Sequence, residues 1–364
     1  MPNPGETPEK FIRPQAFYDI WQDKEGIPIY KLFHVESLMD VELGEWNRFG
    51  CRGAFVNLAD PHITTAAILE ILPGGKTVSV KHIFETLIYG ISGRGKTTVK
   101  SPGFAEVSVE WGTHSLFSPP LNTTYSHQNL DSSRPLRLLT VSNAPLILSL
   151  FHNERFVFDN PVVFDDRFRG PPDFFTDPGK HLGGRVWRTN FVPDVSKFAL
   201  IDWVRRGSGA KSFHLSMADN TMACHLSEFE VGTYKKGHRH GPGAHVIVLA
   251  GEGYSLLWQE GKERIRIDWR PGSMFSPPEW WYHQHFNTGP EPARYLALRR
   301  GGSPEHPLRI GMSGGKRGNE EAGAEQIEYE DEDPAIRELY ARELAAKGIK
   351  LSIPPVGSTV NASV

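Results

Sequence analysis

The sequence predicts an all-β protein in which one structural unit occurs twice. Short stretches rich in β-branched and aromatic residues, such as HVIVLAG (245–251) and RIRIDW (264–269), recur about every ten residues and are typical of strands. The 36 Gly and 28 Pro of the 364-residue chain place turn signals between these stretches. Matching residues also recur at a constant offset of 158 positions, so that Gly74 corresponds to Gly232. These patterns favour two barrels or sandwiches over alternating helices and strands.

The same patterns divide the chain into five segments. In order, we predict an N-terminal arm over 1–27, a first barrel over 28–155, a linker over 156–184, a second barrel over 185–305 and a C-terminal tail over 306–364. Two domains are what a chain of this length normally forms.

One helix is predicted, in the C-terminal tail over residues 334–347. It starts at Pro334 after a run of acidic residues and stops before Gly348, and good helix formers fill the positions between. We expect it to pack as an arm or tail.

Composition argues for a globular protein without a nucleic-acid or membrane partner. Hydrophobic residues make up 39% of the chain, the formal net charge is −3, and the basic residues form no long stripe. Cys51 and Cys224 are the only cysteines, and the N-terminus lacks the pattern of a secretion signal. We therefore expect a cytoplasmic protein.

The repeat extends over more than fifty positions without a gap. An insertion would turn every inward-facing residue of a strand to the other face, so the constant offset indicates two copies of one supersecondary unit. The matching pairs include Gly74 and Gly232, His82 and His240, Trp111 and Trp269, Phe117 and Phe275, His127 and His285, and Asn129 and Asn287.

The second copy contains histidines with the spacing of metal ligands. His238 and His240 are two residues apart, so in a strand both imidazoles point to the same face, about 6 to 7 Å apart. Two imidazoles at that separation can share one ion. A third candidate, His283, lies farther along the chain, where a neighbouring strand could bring it to the same point.

Around these histidines the sequence resembles the cupin superfamily. The segment Gly232-x5-His238-x-His240, followed by Gly272-x5-Pro278-x4-His283-x3-Asn287, is similar to the two signature motifs of that superfamily. The resemblance covers both halves of the chain and identifies a bicupin. It implies two tandem β-barrels of the jelly-roll type, with a metal ion held inside the second.

The motif departs from the common cupin pattern at two positions. Ala244 occupies the place where the family usually has a glutamate ligand, and Trp280 replaces a frequent glycine. The resulting set of three imidazoles is similar to that of gentisate dioxygenases and other three-His cupin oxygenases. The resemblance therefore implies Fe(II), although imidazole ligands also suit Mn(II), Ni(II), Cu(II) and Zn(II).

Two further histidines of the second copy have open roles. His245 could supply a fourth ligand in place of the missing glutamate, or it could be a buried histidine near the site. His285 shares the face of His283, but its counterpart His127 persists in the copy that has lost its other ligands. That persistence favours a structural or pocket hydrogen bond for His285 over metal ligation.

The first copy is predicted to be degenerate and metal-free. Val80, His82, Thr86 and Tyr125 stand at the four ligand positions, and three of these side chains bind divalent metals poorly. We expect this barrel to support the second and to help form an assembly interface, with a metal-free regulatory pocket as the alternative.

Aromatic and basic residues near the ligands suggest the substrate. Trp258, Trp280 and Trp281 would favour a flat aromatic molecule, if they do not simply fill the barrel. Polar candidates to orient it are Arg264, Gln284 and Arg299.

Fe(II)-dependent dioxygenation of a small aromatic or oxygen-chelating substrate, with dioxygen as co-substrate, is the expected reaction. The alternatives are an oxygen-independent decarboxylase or isomerase that uses the same ligands, and a non-catalytic binding bicupin. By analogy with bicupins, we expect a homo-oligomer, either a dimer or a tetramer.

Overall fold

The computed structural model describes residues 13–59, 63–241, 243–299, 303–306 and 325–353. Its N-terminal half contains the helices α1 (Phe17–Lys24), α2 (Ala144–Phe151) and α3 (Glu154–Phe158). The strands of this half are β1 (Ile29–Leu32), β2 (His34–Val35), β3 (Gly44–Trp46), β4 (Cys51–Leu58), β5 (Thr65–Ile71), β6 (Thr86–Ser92), β7 (Arg94–Lys100), β8 (Val107–Gly112), β9 (Leu116–Phe117), β10 (Thr124–Asn129) and β11 (Leu136–Ser142).

The C-terminal half contains a short 3-10 helix (Val204–Arg206) and the helix α4 (Pro334–Ala346). Its strands are β12 (Lys180–Gly183), β13 (Val186–Arg188), β14 (Phe191–Val192), β15 (Ile201–Asp202), β16 (Lys211–Ser216), β17 (Ala223–Phe229), β18 (His238–Arg239), β19 (Ala244–Ala250), β20 (Gly253–Trp258), β21 (Ile265–Trp269), β22 (Met274–Phe275), β23 (Tyr282–Asn287), β24 (Ala293–Arg299) and β25 (Glu325–Gln326).

Each half forms a barrel from one larger and one smaller sheet. In the first barrel, the sheet β1-β4-β5-β11-β6-β9-β14 faces the sheet β10-β7-β8. In the second, the sheet β12-β13-β16-β17-β24-β19-β22-β2 faces the sheet β21-β20-β23-β18-β25. The predicted all-β fold with two tandem barrels and a C-terminal helix is confirmed.

The two larger sheets pack back to back, and this explains why their strands are apolar on both faces. In β4, Phe55 belongs to the core of the first barrel, whereas Ala54 and Val56 belong to a cluster shared with Ile247 and Leu296 of the second barrel. Successive side chains of a strand point to opposite faces, so such strands are buried on both sides. The shared cluster therefore joins the barrels through one apolar interface.

Two short strands cross from one barrel to the other. β2 comes from the N-terminal half but pairs with β22 of the second barrel, and β14 comes from the C-terminal half but pairs with β9 of the first. The predicted limits of the two barrels, 28–155 and 185–305, therefore do not separate the sheets completely.

The tail helix α4 packs on the outer face of the smaller sheet of the second barrel. The Asp333 side chain caps it by accepting a hydrogen bond from the amide of Ala335 at 3.0 Å. Ile336, Tyr340 and Leu344 are buried against the sheet. Helix α4 thereby covers the side of β23 that faces away from the barrel interior.

The helices α1, α2 and α3 are additional to the one that the sequence predicts. Helix α2 is apolar on most of its surface, so its sequence lacks the alternation of polar and apolar residues that marks an amphipathic helix. Helices of five to eight residues are also too short to give a clear period. No helix in the described ranges is long and apolar enough to cross a membrane.

Candidate metal centre

Two adjacent strands of the smaller sheet bring the three predicted ligands together. β18 pairs antiparallel with β23, and His238 lies directly opposite His283. His240 follows β18 and points to the same side as His238. One ring nitrogen from each of the three histidines lies within 4.8 Å of the others.

Hydrogen bonds to the backbone orient two of these rings. Nδ1 of His238 lies 3.0 Å from the carbonyl oxygen of Lys236, and Nδ1 of His283 lies 3.1 Å from that of Trp281. A carbonyl oxygen only accepts, so each Nδ1 carries the proton and donates it. The lone pair is left on Nε2, which is the usual arrangement of a metal-binding histidine.

Burial keeps two of the candidate ligands, His238 and His283, neutral. His238 and His283 are 6% and 4% exposed, and loss of hydration lowers the pKa of His283 to about 4 and that of His238 well below its usual value. Neutral imidazole is the form that binds metal. Three ring nitrogens this close need only small ring movements to reach bonding distances of about 2.0 to 2.2 Å, so the residues fit a divalent ion.

A hydrogen-bond chain holds the ring of His285 from behind. Trp269 Nε1 donates to Ser255 Oγ at 3.0 Å, and Ser255 Oγ lies 2.8 Å from His285 Nδ1. The hydroxyl oxygen has two lone pairs and one proton, so it can donate to Nδ1 or accept a second hydrogen bond from it, and in either case it orients the ring.

The first barrel contains the same chain at the offset of the repeat. Trp111 Nε1 donates to Thr97 Oγ1 at 2.8 Å, and Thr97 Oγ1 lies 2.8 Å from His127 Nδ1. The contact between a hydroxyl and Nδ1 is thus present in both barrels. Thr97 and Ser255 were missed, although they are 158 positions apart and could have been found by aligning the two copies.

His245 lies on the opposite face of β19 from the candidate ligands. Val246 and Val248 pack inside the second barrel, whereas Ile247 and Leu249 belong to the cluster between the barrels. His245 is an even number of positions from Ile247 and Leu249, so it points to the same face of β19 as they do, and it is buried there, 3% exposed. It therefore cannot replace the missing glutamate, whereas Ala244 does line the site.

The space beside the three histidines is small and rich in cations. A cavity of about 40 Å³ is lined by Arg206, Lys235 and Arg299. The other residues of its wall are Trp203, His214, His225, His238, His240, Ala244, Val246, Pro277, His283, His285, Tyr295 and Ala297. Among the described residues, no acidic side chain lines the cavity.

The sequence did not identify Arg206 or Lys235 as site residues. Lys235 lies three positions before His238 and is 2% exposed, and its Nζ is 2.8 Å from the Tyr295 hydroxyl and hydrogen bonded to Ser227. Burial lowers the pKa of Lys235. The closeness of Lys235 to His238 in sequence is a signal that could have been used. Arg206 reaches the cavity from the 3-10 helix Val204–Arg206, which no local pattern indicates.

Only Arg299 of the six predicted pocket residues lines this cavity. Gln284 lies on the outer face of β23 and donates to Glu332 at 3.0 Å, and Trp258 stacks on Tyr282 at 5.5 Å on the same face. Arg264 pairs with Asp333 at 2.7 Å, beside the start of α4. Because α4 covers this face, these side chains serve the packing of the tail.

The two remaining tryptophans also lie away from the cavity wall. Trp280 occupies a left-handed turn with φ of +62° and donates its amide to the carbonyl of His240 at 3.2 Å. Trp281 contacts Phe33, with ring centroids 6.4 Å apart, in a separate surface groove. The aromatic pocket expected from the sequence is therefore not formed around the ligands.

In the first barrel, two of the residues at the ligand positions are hydrogen bonded to each other. His82 Nδ1 lies 2.8 Å from the Phe84 carbonyl oxygen, and His82 Nε2 lies 2.7 Å from the Tyr125 hydroxyl. Nδ1 must donate to the carbonyl, so Nε2 accepts from the phenol. The lone pair that would bind a metal is thus occupied by Tyr125.

Comparison with known proteins supports the fold. No family model and no curated protein sequence matches the chain. Among solved structures, the formate complex of Lactobacillus farciminis oxalate decarboxylase superposes with a TM-score of 0.50 at 14% identity, over 74% of this chain and 86% of that one. A variant of Bacillus subtilis oxalate decarboxylase gives a TM-score of 0.50 at 15% identity, over 76% of this chain and 78% of that one.

At such low identity the likeness concerns the architecture. The protein has a bicupin fold, as the resemblance of its motifs implied. These matches support the bicupin fold and do not support a specific resemblance to gentisate dioxygenases.

Proposed function

We propose that this bicupin is a metal-dependent enzyme that decarboxylates a small, oxygen-chelating carboxylate without net consumption of dioxygen. The observation that carries the proposal is the small, cation-lined cavity beside the three histidines. We therefore prefer the oxygen-independent alternative to the Fe(II)-dependent dioxygenation of a flat aromatic substrate that the sequence first suggested.

The size of the cavity limits the substrate. About 40 Å³ is space for one or two water-sized groups in addition to the ion. A substituted benzene ring would have to push apart the barrel walls, which are formed by paired strands. A two- to four-carbon acid requires much less movement.

The charge of the cavity favours an anion. Arg206, Lys235 and Arg299 line it, Ala244 stands where a carboxylate ligand would have offset the charge of the metal, and no described acidic residue faces it. A divalent ion beside these cations makes a strongly positive enclosure of low dielectric. A substrate with one or two carboxylates would balance that charge, and guanidinium groups bind carboxylates well.

The ion would be held by His238, His240 and His283, which leave coordination positions open. When bound, the metal supplies a Lewis acid that polarises the oxygens of the substrate. Three imidazoles suit Mn(II), Fe(II) and other first-row ions. We propose Mn(II) and Fe(II) as the ions to compare first.

The residues of the chain supply binding and proton transfer. Arg299 and Arg206 would bind the carboxylates. His285, in the tautomer in which Nδ1 accepts from Ser255, would donate its Nε2 proton to a substrate oxygen. In decarboxylation the bond to the carboxylate carbon breaks, carbon dioxide leaves, and the electron pair left on the remaining carbon takes up a proton. Nζ of Lys235, held by Ser227 and Tyr295 at the cavity wall, would supply that proton.

The solved neighbours support this reading. Both are oxalate decarboxylases, and one contains formate, so the same architecture accommodates one- and two-carbon acids. Such acids match the size of the cavity in this chain.

The test is a substrate screen with metal-reconstituted protein. Oxalate, malonate, oxaloacetate and pyruvate would be supplied to the Mn(II) and Fe(II) forms, while carbon dioxide release and dioxygen uptake are recorded together. We expect carbon dioxide release without net dioxygen uptake. His283→Ala should abolish it, whereas His245→Asn, on the opposite face, should retain the metal and the activity. Stoichiometric dioxygen uptake with catechols or gentisate would contradict the proposal and favour the Fe(II)-dependent dioxygenase instead.

A further inference from the structure

The first barrel, which lacks the ligand set, encloses far more space than the second. Its cavity measures about 580 Å³, against about 40 Å³ beside the three histidines. Val80, His82, Thr86 and Tyr125, the four residues at the former ligand positions, all line it. Its volume lies within the range of small-molecule sites, about 300 to 1,000 Å³.

The wall of this cavity has an aromatic part and a polar part. The aromatic part comprises Trp21, Trp46, Phe49, Phe55, Phe84 and Phe158. The polar part comprises Thr65, Thr86, Thr140 and Ser142. A ring system enclosed by aromatic side chains and oriented by a few polar groups is the common arrangement of such sites.

Two buried side chains of the wall have polar atoms without a partner among the described residues. Nε1 of Trp21 and Oγ1 of Thr86 make no hydrogen bond, although both residues are only 3% exposed. An unpaired buried donor costs about 1 to 3 kcal/mol. A ligand with acceptor oxygens would offset that cost.

The charges around the cavity leave one unbalanced cation. Arg48 forms a bidentate pair with Glu25, with its NH2 nitrogen 2.6 Å from Oε1, and Lys24 pairs with Glu154 at 3.1 Å. Lys81, partly exposed, lines the cavity and has no ion pair within the described part of the chain. His82 adds no charge at neutral pH, because burial lowers its pKa to about 3.

We propose that the first barrel binds an aromatic monocarboxylate in this cavity, without a metal ion. The ring would pack among the aromatic side chains, and the carboxylate would face Lys81 and accept from Thr86. This site is separate from the proposed decarboxylation, and neither proposal depends on the other.

The test uses 2-naphthoate as the probe and naphthalene-2-carboxamide as its neutral analogue. Calorimetric titration of the full chain should give saturable binding of one 2-naphthoate per chain and weaker binding of the amide. Quenching of tryptophan fluorescence should follow the same curve, because Trp21 and Trp46 line the cavity. Lys81→Gln should weaken binding about fivefold, the effect of losing one partly exposed ion pair.

Three controls make the result decisive. Lys76→Gln removes the same charge from an exposed site outside the cavity and should leave the affinity unchanged. Thr86→Val keeps the side-chain shape and should also weaken binding. Removal of metal with a chelator should have no effect. Absence of binding, equal affinity in Lys81→Gln and Lys76→Gln, equal binding of the amide, or loss of binding on metal removal would overturn the proposal.

Discussion

At the scale of single residues, the groups behind the histidine rings orient them. Carbonyl oxygens accept from Nδ1 of His238 and His283, which leaves Nε2 of both rings able to bind a metal, whereas Nδ1 of His285 lies beside the Ser255 hydroxyl. All three rings face the same cavity. We expect His285 to differ in role from the other two because a hydroxyl, and not a carbonyl oxygen, contacts its Nδ1.

Replacement of Ser255 by alanine tests the role of His285. We expect Ser255→Ala to lower turnover about tenfold while the bound metal stays unchanged, because the His285 ring loses the group that orients it. The matched variant Thr97→Ala removes the equivalent hydroxyl of the first barrel and should leave turnover unchanged. Metal analysis and steady-state kinetics measure both effects. A loss of metal in Ser255→Ala would mean that His285 is a ligand after all.

Position 244 tests the missing carboxylate. Ala244 lines the cavity, so Ala244→Glu should add a fourth ligand and tighten metal binding about tenfold, or about 1.4 kcal/mol. The added negative charge should raise KM for an anionic substrate. Competition with a chelator measures the affinity, and the kinetics measure KM. Unchanged values of both would show that the side chain at 244 does not reach the ion.

The sequence predicted the residues whose spacing is local and missed those that come from elsewhere in the chain. His238 and His240 could be predicted because alternate residues of a strand share one face. His283 could be predicted because the sequence around it resembles the second cupin signature motif. Arg206 reaches the same cavity from the short 3-10 helix before β16, and nothing in the neighbouring sequence indicates that role. The tryptophans were wrongly predicted to line the substrate pocket, because the sequence alone did not show that α4 covers the outer face of β23.

At the scale of elements, α4 is held to the second barrel by a buried phenol. Tyr340 is fully buried, and its hydroxyl lies 2.8 Å from the Thr233 carbonyl oxygen. The contact joins the helix to the loop before β18, which carries the first ligand. The tail thereby supports the strand that holds the candidate metal centre.

Tyr340→Phe measures this contact. The variant keeps the ring but removes the donor, so we expect the protein to lose about 1 kcal/mol of stability. Denaturant unfolding monitored by circular dichroism gives the value. An effect below about 0.3 kcal/mol would mean that water replaces the hydroxyl at no cost.

Strands were more predictable than helices in this chain. The stretch HVIVLAG predicted a strand over 245–251, and β19 covers Ala244–Ala250. Helix α2 starts at Ala144 with a proline in its first turn, yet its apolar sequence also suits a buried strand. Only its position against α1 and α3 settles its conformation.

At the scale of the whole molecule, several buried histidines make stability depend on acid. Burial lowers the pKa of His82 and His127 to about 3, and that of His245 and His283 to about 4. These groups stay neutral in the folded protein while the unfolded chain takes up protons below its ordinary histidine pKa, about 6.5. Stability is therefore full above that pH and falls as the pH decreases.

Acid titration of stability checks this expectation. Between about pH 6.5 and 4, each such histidine should lower the free energy of unfolding by up to about 1.4 kcal/mol per pH unit. Chemical denaturation at pH 7.0, 5.5 and 4.5 measures the slope. His245→Asn should reduce it, since that ring lies between the barrels and away from the metal. A free energy of unfolding that does not change with pH would mean that these histidines have the same pKa in the folded protein as in the unfolded chain.

The exchange of short strands is repeated symmetrically and could not be predicted from either half. β9 and β22 hold equivalent places, and each receives a strand from the other half. Ser115 Oγ donates to the Pro193 carbonyl at 2.7 Å, and Ser273 Oγ, its counterpart, donates to that of Glu36 at 2.8 Å. Two-residue strands have no detectable period, so only the assembled chain reveals them.

This reciprocal exchange sets a limit on how the molecule can be shortened. A gene fragment that encodes only the half with the candidate metal centre would leave β22 without its neighbour His34–Val35 and would expose the apolar back of the larger sheet. A shortened protein built around this centre must therefore include that N-terminal segment, by fusion or by circular permutation.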